Sequence, residues 1–420
     1  MSERARVVIV GAGFGGLWAA RALRGVPAEV ILVDRHNYHT FYPLLYQVGA
    51  AELNAVDIAF PVRTILRGAS NARFLMAEVR GVDPDRQIVR AGDHDLRYDH
   101  LILATGSVPH FFGVRGAAEH AFPLREIEQG LALRNHLLTR FERAAALADP
   151  IARRACLTFV IVGGGATGVE FAGALAELVR GPLARDYPDL VAGEVSILVL
   201  EAADRLLGGM PDGLGRYAER KLARLGVEVR LRARVAEVTP ATVELADESA
   251  IPAETVVWTA GVRAPPALAD WGLATSADGS ARVDRTLRVE GLPNVYAVGD
   301  AARFEAGGRP LPLVAPVAVQ QGAHAGRNVR RALEGLDPLP FRYRDRGMLA
   351  TIGRNAAVAH VRGLAFRGFP AWVLWLAIHL VKLLGFRNRL VVLTNWAFDY
   401  FFFERAVRLI LPVREPSPED

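Results

Sequence analysis

The sequence predicts an α/β protein with two similar halves and an apolar C-terminal region. Three observations support this prediction. A strand, a glycine-rich turn and a helix are indicated by RVVIVGAGFGGLWAAR, Arg6 to Arg21. The same pattern returns 152 positions later, and the region after residue 338 is rich in aromatic and aliphatic side chains. Each strand–turn–helix pattern is typical of a Rossmann-like dinucleotide-binding domain, and two of them imply two nucleotides brought face to face.

The first half opens with four β-branched residues, Val7 to Val10, which suit a buried strand. Gly11, Gly13 and Gly16 follow in the spacing G-x-G-x-x-G, and an Ala-rich helix is expected from Leu17 to Leu23. The first glycine permits the tight turn, and the second lets a pyrophosphate approach the backbone. The third lets helix and strand pack closely, so that the helix N-terminus faces the phosphates.

A glycine-rich turn alone also occurs in α/β proteins that bind no nucleotide. Here a second strand, Val30 to Val33, ends in Asp34, about 20 residues after the glycine motif. A carboxylate at this place accepts hydrogen bonds from a ribose. The complete order of strand, loop, helix, strand and acid therefore favours dinucleotide binding.

Composition narrows the function further. The chain has 420 residues, which predicts two or three domains, and 51% of its residues are hydrophobic. Its net charge is +5, almost all cations are arginine, and no block of like charge indicates nucleic-acid binding. The N-terminus enters its strand at once, which leaves no room for the apolar segment of a signal peptide, so the catalytic part is expected in the cytoplasm.

Cysteine and histidine usage excludes several kinds of site. Cys156 is the only cysteine, which excludes an intrachain disulfide, a Cys-x-x-Cys redox pair and a thiolate zinc cluster. The ten histidines are scattered, without the H-E-x-x-H spacing. We therefore expect no metal site.

The rest of the first half adds turns and a meander. Residues Asn37 to Leu53 mix aromatic side chains with a proline and then become helical, which fits a core loop and a segment over a flavin ring equally well. Short strand-like pieces from Phe74 to Asp99 indicate a β-meander. A buried strand, Leu101 to Ala104, then leads to Thr105 and Gly106, small residues against which a cofactor can lie. A long helix is expected from Leu124 to Leu147, and a boundary from Ala148 to Ala155.

The second half repeats the opening pattern in LTFVIVGGGATGVEFAGALAEL. Gly163, Gly165 and Gly168 carry the glycine spacing, and the next strand, Val195 to Leu200, ends in Glu201. A carboxylate there favours the free 2′-hydroxyl of NADH, whereas a 2′-phosphate prefers arginine. Arg205 is close enough along the chain to keep NADPH open as an alternative.

After residue 275 the chain is expected to return to the first domain. Leu292 to Asp300 reads as a buried strand that ends in an exposed carboxylate, for which a contact with a cofactor hydroxyl is favoured over a simple turn. A helix is expected to begin near Pro316, since proline suits a first helical turn. The expected domains are 1–150 and 276–338, which together bind one nucleotide, 151–275, which binds the other, and 339–420.

The C-terminal region has the composition of a membrane-surface segment. Phe369 to Phe386 is strongly apolar, yet it is shorter than the ~20 residues of a membrane span and contains His379 and Lys382. The tail mixes aromatic and cationic residues, as suits a helix in the lipid headgroup region. They are Trp372, Trp375, Trp396, Tyr400, Phe401, Phe402 and Phe403 among Arg387, Arg389, Arg405, Arg408 and Arg414. The alternative is a buried pair of dimerisation helices, and a dimer that presents two tails to one membrane satisfies both.

Several stretches together resemble the type II NADH dehydrogenases, which are single-subunit, non-proton-pumping NADH:quinone oxidoreductases. The resemblance extends over essentially the whole chain, and its most specific part is the tail motif. The matching stretches are VIVGAGFGGLWAARAL, NYHTFYPLLYQVGAAEL, LILATGS, FVIVGGGATGVEFAGALAEL, WTAGVRAPP, VYAVGDAA, LATIGRNAAVAHVRG and FRNRLVVLTNW.

The resemblance implies the cofactors and their sites. It assigns FAD to the first glycine loop and to the strand ends that face it, and NADH to the second loop. The expected cofactor-binding residues are Gly11, Gly13, Phe14, Gly15, Gly16, Asp34, Ala104, Thr105, Gly106, Gly299 and Asp300 for FAD, and Gly163, Gly165, Gly168 and Glu201 for NADH.

The resemblance also implies two catalytic residues. Glu170 matches the family acid beside the nicotinamide, although a carboxylate in a first helical turn also has a purely structural explanation. Gln320 matches the second glutamine of the A-Q-x-A-x-Q pattern that lines the quinone pocket, and Pro316 replaces the first. We expect water or a nearby carboxylate to relay the protons for quinol formation, because Gln320 does not ionise.

The resulting expectation is a peripheral enzyme on the cytoplasmic face of the membrane that passes electrons from NADH through FAD to a quinone, with a homodimer as the assembly. A membrane-docked flavin redox sensor and a reductase that uses a non-quinone acceptor are the alternatives. A disulfide or sulfide reductase needs paired thiols, which a single cysteine excludes. A soluble reductase that passes electrons to an iron–sulfur protein is disfavoured, because such an enzyme has no need of an aromatic tail.

Overall fold

The computed structural model describes residues 4–191, 193–402 and 408–410. These residues fall into two units. The first unit takes its residues from Met1–Thr40, Ala59–Pro109 and Val262–Arg346, and the second from Phe41–Ile58, His110–Gly261 and Gly347–Asp420. The domain limits expected from the sequence stay a prediction beside this division.

The first unit is built on a five-stranded parallel sheet. Apolar runs of mainly Val, Ile and Leu form its central strands, which are buried as expected for strands covered on both faces. Strand Val295–Ala297 pairs with His100–Leu103, so the predicted return of the chain to the first sheet is confirmed. The strand order is Val295–Ala297, His100–Leu103, Ala5–Val10, Ala28–Asp34 and Ala72–Met76.

Smaller elements complete the first unit. The predicted meander is present as three antiparallel strands, Val79–Asp83, Ile88–Ala91 and His94–Arg97. The helices are Phe14–Ala22, Val62–Leu66, Ala267–Asp270 and Ala315–Leu333, with a 3₁₀ turn at Gly299–Ala301. The short strand pairs are Tyr38–Thr40 with Ala59–Pro61, Val108–Pro109 with Val262–Arg263, Ala281–Arg282 with Ala302–Arg303, and Glu305–Ala306 with Arg309–Pro310.

The second unit repeats the parallel sheet. One buried apolar face of this sheet packs against an antiparallel group of three strands, Val235–Val238, Thr242–Leu245 and Ala250–Pro252. The order in the parallel sheet is Phe122–Pro123, Thr255–Trp258, Thr158–Val162, Ser196–Glu201 and Val227–Leu231. Each of the two repeats predicted from the glycine motif therefore contributes to its own parallel sheet, and the two sheets have similar strand orders.

Helices connect the strands of the second unit. The predicted long helix is present as Ile127–Ala146, and a capping box between Glu126 and Gln129 fixes its start. The helices are Leu45–Gly49, Ala55–Ile58, Ala117–His120, Ile127–Ala146, Pro150–Cys156, Ala166–Leu178, Ala184–Asp186, Pro188–Val191, Asp212–Arg224, Phe369–Lys382 and Phe386–Phe402, with a 3₁₀ turn at Tyr42–Leu44 and a π-helical turn at Val179–Leu183.

The boundary expected from Ala148 to Ala155 stays a prediction. Most of this segment is part of a short helix, Pro150–Cys156, which is not among the elements expected from the sequence. The Asp149 carboxylate accepts hydrogen bonds from the backbone N–H groups of Ile151 and Ala152, and Pro150 occupies the first turn. An N-cap aspartate followed by proline is a helix start signal, and it outweighs the short length of the segment.

The C-terminal region forms a three-stranded antiparallel sheet and two helices. Strands Met348–Thr351, Ala357–Val361 and Leu364–Gly368 precede the two tail helices, Phe369–Lys382 and Phe386–Phe402. Among the described residues, neither tail helix nor any other helix has the length and apolarity needed to cross a membrane. Phe403, Arg405 and Arg414 lie outside the described residues.

The tail aromatics divide between two environments. Phe401 and Phe402 are 72% and 59% exposed, as expected for side chains that face lipid. Trp375 is only 1% exposed, so the expectation that it lies among lipid headgroups is wrong. Its indole N–H donates a hydrogen bond inside the second unit, to Glu170, and this polar partner favours burial over an interfacial position.

Candidate active site

The first glycine loop has the shape that a bound pyrophosphate requires. Gly11 has a φ of +102°, which favours glycine, and a Cβ on Gly16 would lie 1.8 Å from the carbonyl oxygen of Gly11. A Cβ on Gly13 would meet no atom within 4 Å. Gly13 therefore faces open space in front of the N-terminus of helix Phe14–Ala22. Asp34, at the end of the neighbouring strand, accepts a 2.6 Å hydrogen bond from the backbone N–H of Ala12.

Two further strand ends of the first unit meet through side chains. The Ser107 hydroxyl donates to the Asp300 carboxylate at 2.6 Å, and the Gly299 backbone N–H donates to the Gln321 amide oxygen at 2.7 Å. Asp300 is 9% exposed, so the expectation of an exposed carboxylate is wrong. The 3₁₀ turn Gly299–Ala301 folds Asp300 back toward Ser107, and a strand pattern does not reveal such a turn.

Four buried side-chain atoms of the first unit find no hydrogen-bond partner among the described residues: Nε2 of His39, the Tyr98 hydroxyl oxygen, Nδ1 of His100 and the Thr105 hydroxyl oxygen. Two of these residues, His39 and Thr105, lie beside the first glycine loop. His39 is 2% exposed, and its Nδ1 lies 3.0 Å from the carbonyl oxygen of Ala12. A carbonyl only accepts, so Nδ1 carries the proton and Nε2 presents a lone pair beside the first glycine loop. Buried groups of this kind normally have partners, so these atoms of His39 and Thr105 fit a bound cofactor.

Burial lowers the pKa of His39 to about 4, and the Arg21 charge adds to this effect. The ring is therefore neutral at physiological pH. The sequence holds no signal for His39, because its contacts are with residues far away along the chain. Its ring lies against the Ala12 carbonyl oxygen, and Phe14 packs edge-on against it with ring centroids 4.9 Å apart.

The second glycine loop reproduces the first. Gly163 has a φ of +110°, a Cβ on Gly168 would lie 1.9 Å from the Gly163 carbonyl oxygen, and one on Gly165 would meet nothing within 4 Å. The Glu201 carboxylate accepts hydrogen bonds from the backbone N–H groups of Gly164 at 2.6 Å and Ala203 at 2.7 Å. The two loops thus share the same geometry, and each is hydrogen-bonded to a carboxylate at the end of the neighbouring strand.

Glu170 lies on helix Ala166–Leu178 and is buried. Its Oε1 accepts a 3.0 Å hydrogen bond from the Trp375 indole and a 3.2 Å hydrogen bond from the Thr351 backbone N–H. Burial raises the pKa of Glu170 to about 8, although both hydrogen bonds lower it. A carboxyl group with this pKa is mostly protonated at pH 7 and can still release its proton near neutrality.

Aromatic and amide side chains extend this buried environment. The Gln47 amide donates to the Tyr46 hydroxyl at 3.0 Å, and the Trp396 indole donates to the Gln47 amide oxygen at 3.0 Å. Trp375 stacks on His379 with ring centroids 4.1 Å apart. The two tail helices therefore supply part of the wall around Glu170. The composition of the tail favours a membrane position for these tryptophans and gives no sign of their inward hydrogen bonds.

Gln320 belongs to helix Ala315–Leu333 of the first unit. Its amide nitrogen donates to the carbonyl oxygens of Pro316 at 3.1 Å and Arg344 at 3.0 Å, and its oxygen accepts from the Arg344 N–H at 3.1 Å. The side chain thus fastens the segment around Arg344 to the helix. Pro316 occupies the first turn of that helix, as predicted.

The remaining site residues fall on the expected elements. In the first unit, Phe14, Gly15 and Gly16 begin the helix after the first glycine loop, and Ala104, Thr105 and Gly106 follow strand His100–Leu103. Gly299 precedes Asp300 in the 3₁₀ turn. The first unit therefore contains every residue predicted for FAD, and the second contains Glu170 and every residue predicted for NADH.

Comparisons with known proteins agree with this geometry. Residues 5–322 match the pyridine nucleotide-disulphide oxidoreductase model, and residues 346–405 match the NDH2 C-terminal domain. The type II NADH:quinone oxidoreductase NdhA of Mycobacterium tuberculosis is 38% identical over 94% of this chain and 87% of its own length. Ndh of the same organism is 35% identical over 96% of this chain and 89% of its own length.

The fold comparison is equally extensive. The structure of NDH2 from Plasmodium falciparum in complex with NADH aligns with a TM-score of 0.89, over 98% of this chain and 100% of that chain, at 18% identity. The sulfide:quinone oxidoreductase of Aquifex aeolicus aligns with a TM-score of 0.72 at 19% identity, over 95% of each chain, and shares the fold. From the family models and its mycobacterial relatives, the chain belongs to the type II NADH:quinone oxidoreductases.

Proposed function

We propose that this FAD-dependent NADH:quinone oxidoreductase binds FAD in its first unit and NADH in its second, and passes two electrons to a membrane quinone without pumping protons. When bound, FAD supplies the ring that takes up a hydride and passes electrons on. The observation that carries the proposal is the pair of glycine loops, each with one open glycine and one strand-end carboxylate. In this proposal, the residues of the chain bind and orient FAD and NADH and supply a proton for quinol formation.

The first unit provides the FAD site. The N–H groups at the start of helix Phe14–Ala22 bind the pyrophosphate, for which Gly13 leaves room. Asp34 accepts hydrogen bonds from a ribose. The unpaired hydroxyl of Thr105 and the Asp300 carboxylate, which Ser107 already holds in place, provide further polar contacts.

The second unit provides the NADH site. Gly165 leaves the same open space for a pyrophosphate as Gly13 does. Two backbone N–H groups hold the Glu201 carboxylate in place, so its remaining lone pairs face the ribose hydroxyls. A 2′-phosphate at this position would meet a fixed negative charge. This arrangement favours NADH over NADPH.

Glu170 is the proton-carrying group of the quinone half-reaction. Hydride transfer from NADH needs no acid, but quinol formation consumes protons. A buried carboxyl group whose pKa is raised to about 8 carries a proton at physiological pH and releases it when a stronger base forms nearby. Gln320 remains the predicted quinone-pocket residue. Its hydrogen bonds to Arg344 favour a role in positioning that segment.

The second tail helix forms the membrane contact. Phe386 is 81% exposed and Leu390 is 54% exposed, and Arg387 and Arg389 are exposed beside them. Exposed apolar side chains flanked by cations suit an interfacial helix on an anionic lipid surface. We place this surface on the cytoplasmic side and expect a homodimer that presents two tails to one membrane. Sedimentation of the purified protein tests the dimer.

Anaerobic stopped-flow absorbance tests the proposed reaction. Mixing the flavin-loaded protein with NADH should bleach the flavin band, and a second mixing with a short-chain ubiquinone or menaquinone should restore it. Ferricyanide serves as the control acceptor, since it reoxidises flavins without a quinone site. Bleaching that only ferricyanide reverses would overturn the quinone assignment and favour a flavin redox sensor.

A further inference from the structure

The segment after Glu201 is fixed to the second glycine loop. The Leu207 backbone N–H donates to the Gly164 carbonyl oxygen at 2.9 Å. Leu206 is buried, and a Cβ on Gly164 would lie 2.4 Å from its side chain. Arg205 immediately precedes these two leucines. Its backbone is therefore held close to the carboxylate that we assign to the ribose of NADH.

The Arg205 guanidinium has partners other than the ribose site. It forms an ion pair with the carboxylate of Asp212, and its second amino group donates to the carbonyl oxygen of Gly208 at 3.1 Å. Asp212 begins helix Asp212–Arg224, where the dipole of the helix stabilises a negative charge. The partner of Arg205 is therefore fixed on a regular element, seven residues further along the chain.

An arginine just after the strand-end acid is the group that accommodates a 2′-phosphate in NADPH-binding proteins. It does so by donating two parallel hydrogen bonds to the phosphate oxygens. Arg205 has the right place in the sequence, but each of its two terminal nitrogens already donates a hydrogen bond, one to Asp212 and one to Gly208.

We propose that Asp212 is a specificity residue, which holds Arg205 back from a 2′-phosphate and so reinforces the preference for NADH. This inference rests on the proposed binding of NADH at the second glycine loop. Glu201 repels the 2′-phosphate, and Asp212 removes the cation that would compensate for this repulsion. Glu201 and Asp212 thus both favour NADH over NADPH, Glu201 directly and Asp212 through Arg205.

The size of the effect follows from exposure. The side chains of Arg205 and Asp212 are 46% and 57% exposed. Ion pairs this exposed contribute little and weaken with salt. Asp212 therefore adjusts the preference by a few-fold, and the adjustment is largest at low ionic strength.

Isothermal titration calorimetry of the FAD-loaded protein with NAD⁺ and NADP⁺ tests the inference without a turnover assay. Asp212→Asn should tighten NADP⁺ binding about threefold, the scale of an exposed ion pair, and leave NAD⁺ binding unchanged. Arg205→Gln alone should change neither affinity. A protein with both Arg205→Gln and Asp212→Asn should bind NADP⁺ no more tightly than the wild type, because Arg205 is then absent. Asp204→Asn is the matched control, since it removes an equal charge next to Arg205 and should give no gain that depends on Arg205.

An Asp212→Asn protein with unchanged NADP⁺ affinity would contradict the inference, as would a gain that persists in the double variant. Glu201→Gln separates this failure from a failure of the proposed NADH site. It should weaken NAD⁺ binding if NADH occupies the second glycine loop. If NAD⁺ affinity is unaffected by Glu201→Gln, the nucleotide binds elsewhere, and the role of Asp212 falls with the site.

Discussion

Glu170 illustrates how opposing effects set the state of a single side chain. Two N–H groups, from Trp375 and Thr351, donate to the same carboxyl oxygen and favour the ionised form. Burial favours the neutral form and dominates, so the pKa rises to about 8. At pH 7 roughly nine in ten molecules therefore carry the proton on Glu170. This proton is the one that we propose for quinol formation, and the hydrogen bond from Trp375 limits how far the pKa of Glu170 rises.

Replacing Trp375 by phenylalanine should raise the pKa of Glu170 further. The change keeps an aromatic ring but removes the hydrogen bond that stabilises the carboxylate. Infrared titration of the protonated carboxyl band measures this pKa, and Glu170→Gln identifies the band by removing it. Trp372→Phe is the matched control on the same helix, because Trp372 packs against Phe369 and Tyr400. Equal titration in both tryptophan variants would rule out this role of Trp375.

At the scale of elements, the glycine loops combine two separable requirements. Gly16 is needed for close contact inside the protein, because its Cβ would overlap the Gly11 carbonyl oxygen at 1.8 Å. Gly13 faces open space, so its small size serves only a bound group. The same distinction holds for Gly168 and Gly165 in the second loop. One motif thus encodes both folding and ligand binding.

The Gly13→Ala and Gly16→Ala variants should therefore differ in flavin content and in thermal stability. Gly13→Ala should fold with normal secondary structure and lose most of its flavin, because the methyl group occupies the space of the pyrophosphate. Gly16→Ala should lose both flavin and thermal stability. Flavin content and circular dichroism melting distinguish the two. Full flavin retention in a folded Gly13→Ala protein would place the cofactor elsewhere.

The second tail helix is attached to the second unit through Asn388. Its side chain donates to the carbonyl oxygens of Val56 and Asp57 at 3.3 and 3.0 Å, and the residue is buried. Asn388→Ala should destabilise this attachment by about 1–3 kcal/mol, since the carbonyls lose their donor. Hydrogen exchange across Phe386–Phe402 should accelerate. Thr394→Ala, on the exposed face of the same helix, should leave exchange unchanged, and protection equal to wild type in Asn388→Ala would exclude this anchor.

The sequence reveals elements better than it reveals contacts between distant residues. The glycine spacing and strand-end acids predicted both loops, because these depend on neighbouring residues. The inward hydrogen bond of Trp375 could not be predicted, since it joins residues 205 positions apart. His39 was missed for the same reason. Its role follows from a carbonyl 27 positions earlier and not from its neighbours.

At the scale of the molecule, the tail helices combine the proposed membrane contact with contacts to the proposed proton-carrying residue, Glu170. The tail helices expose Phe386 and Leu390 on one side and hold Trp375 and Trp396 against Glu170 and Gln47 on the other. Aromatic composition alone could not separate these two faces, because the same residue types serve both. The membrane contact therefore stays a prediction for the tail as a region, and the inward contacts of Trp375 and Trp396 could not be predicted.

Phe386→Glu with Leu390→Glu should release the protein from anionic vesicles. Both side chains are exposed, so the protein should keep its fold and its flavin while it loses apolar contact with lipid. Cosedimentation with vesicles measures the loss. Ile151→Glu is the control for added charge, because Ile151 is 78% exposed on a helix outside the tail. Undiminished cosedimentation of the tail variant would place the membrane contact elsewhere.

The most direct test of the whole account is the pH dependence of flavin reoxidation by quinone in a single turnover. A folded-state pKa of about 8 means that Glu170 loses its proton as the pH rises through that value. The wild-type rate should therefore fall above about pH 8, while flavin reduction by NADH stays constant. In Glu170→Gln, reoxidation should be slower and independent of pH. A Glu170→Gln protein that keeps both the wild-type rate and the wild-type pH profile would contradict the assignment of Glu170 as the proton-carrying group.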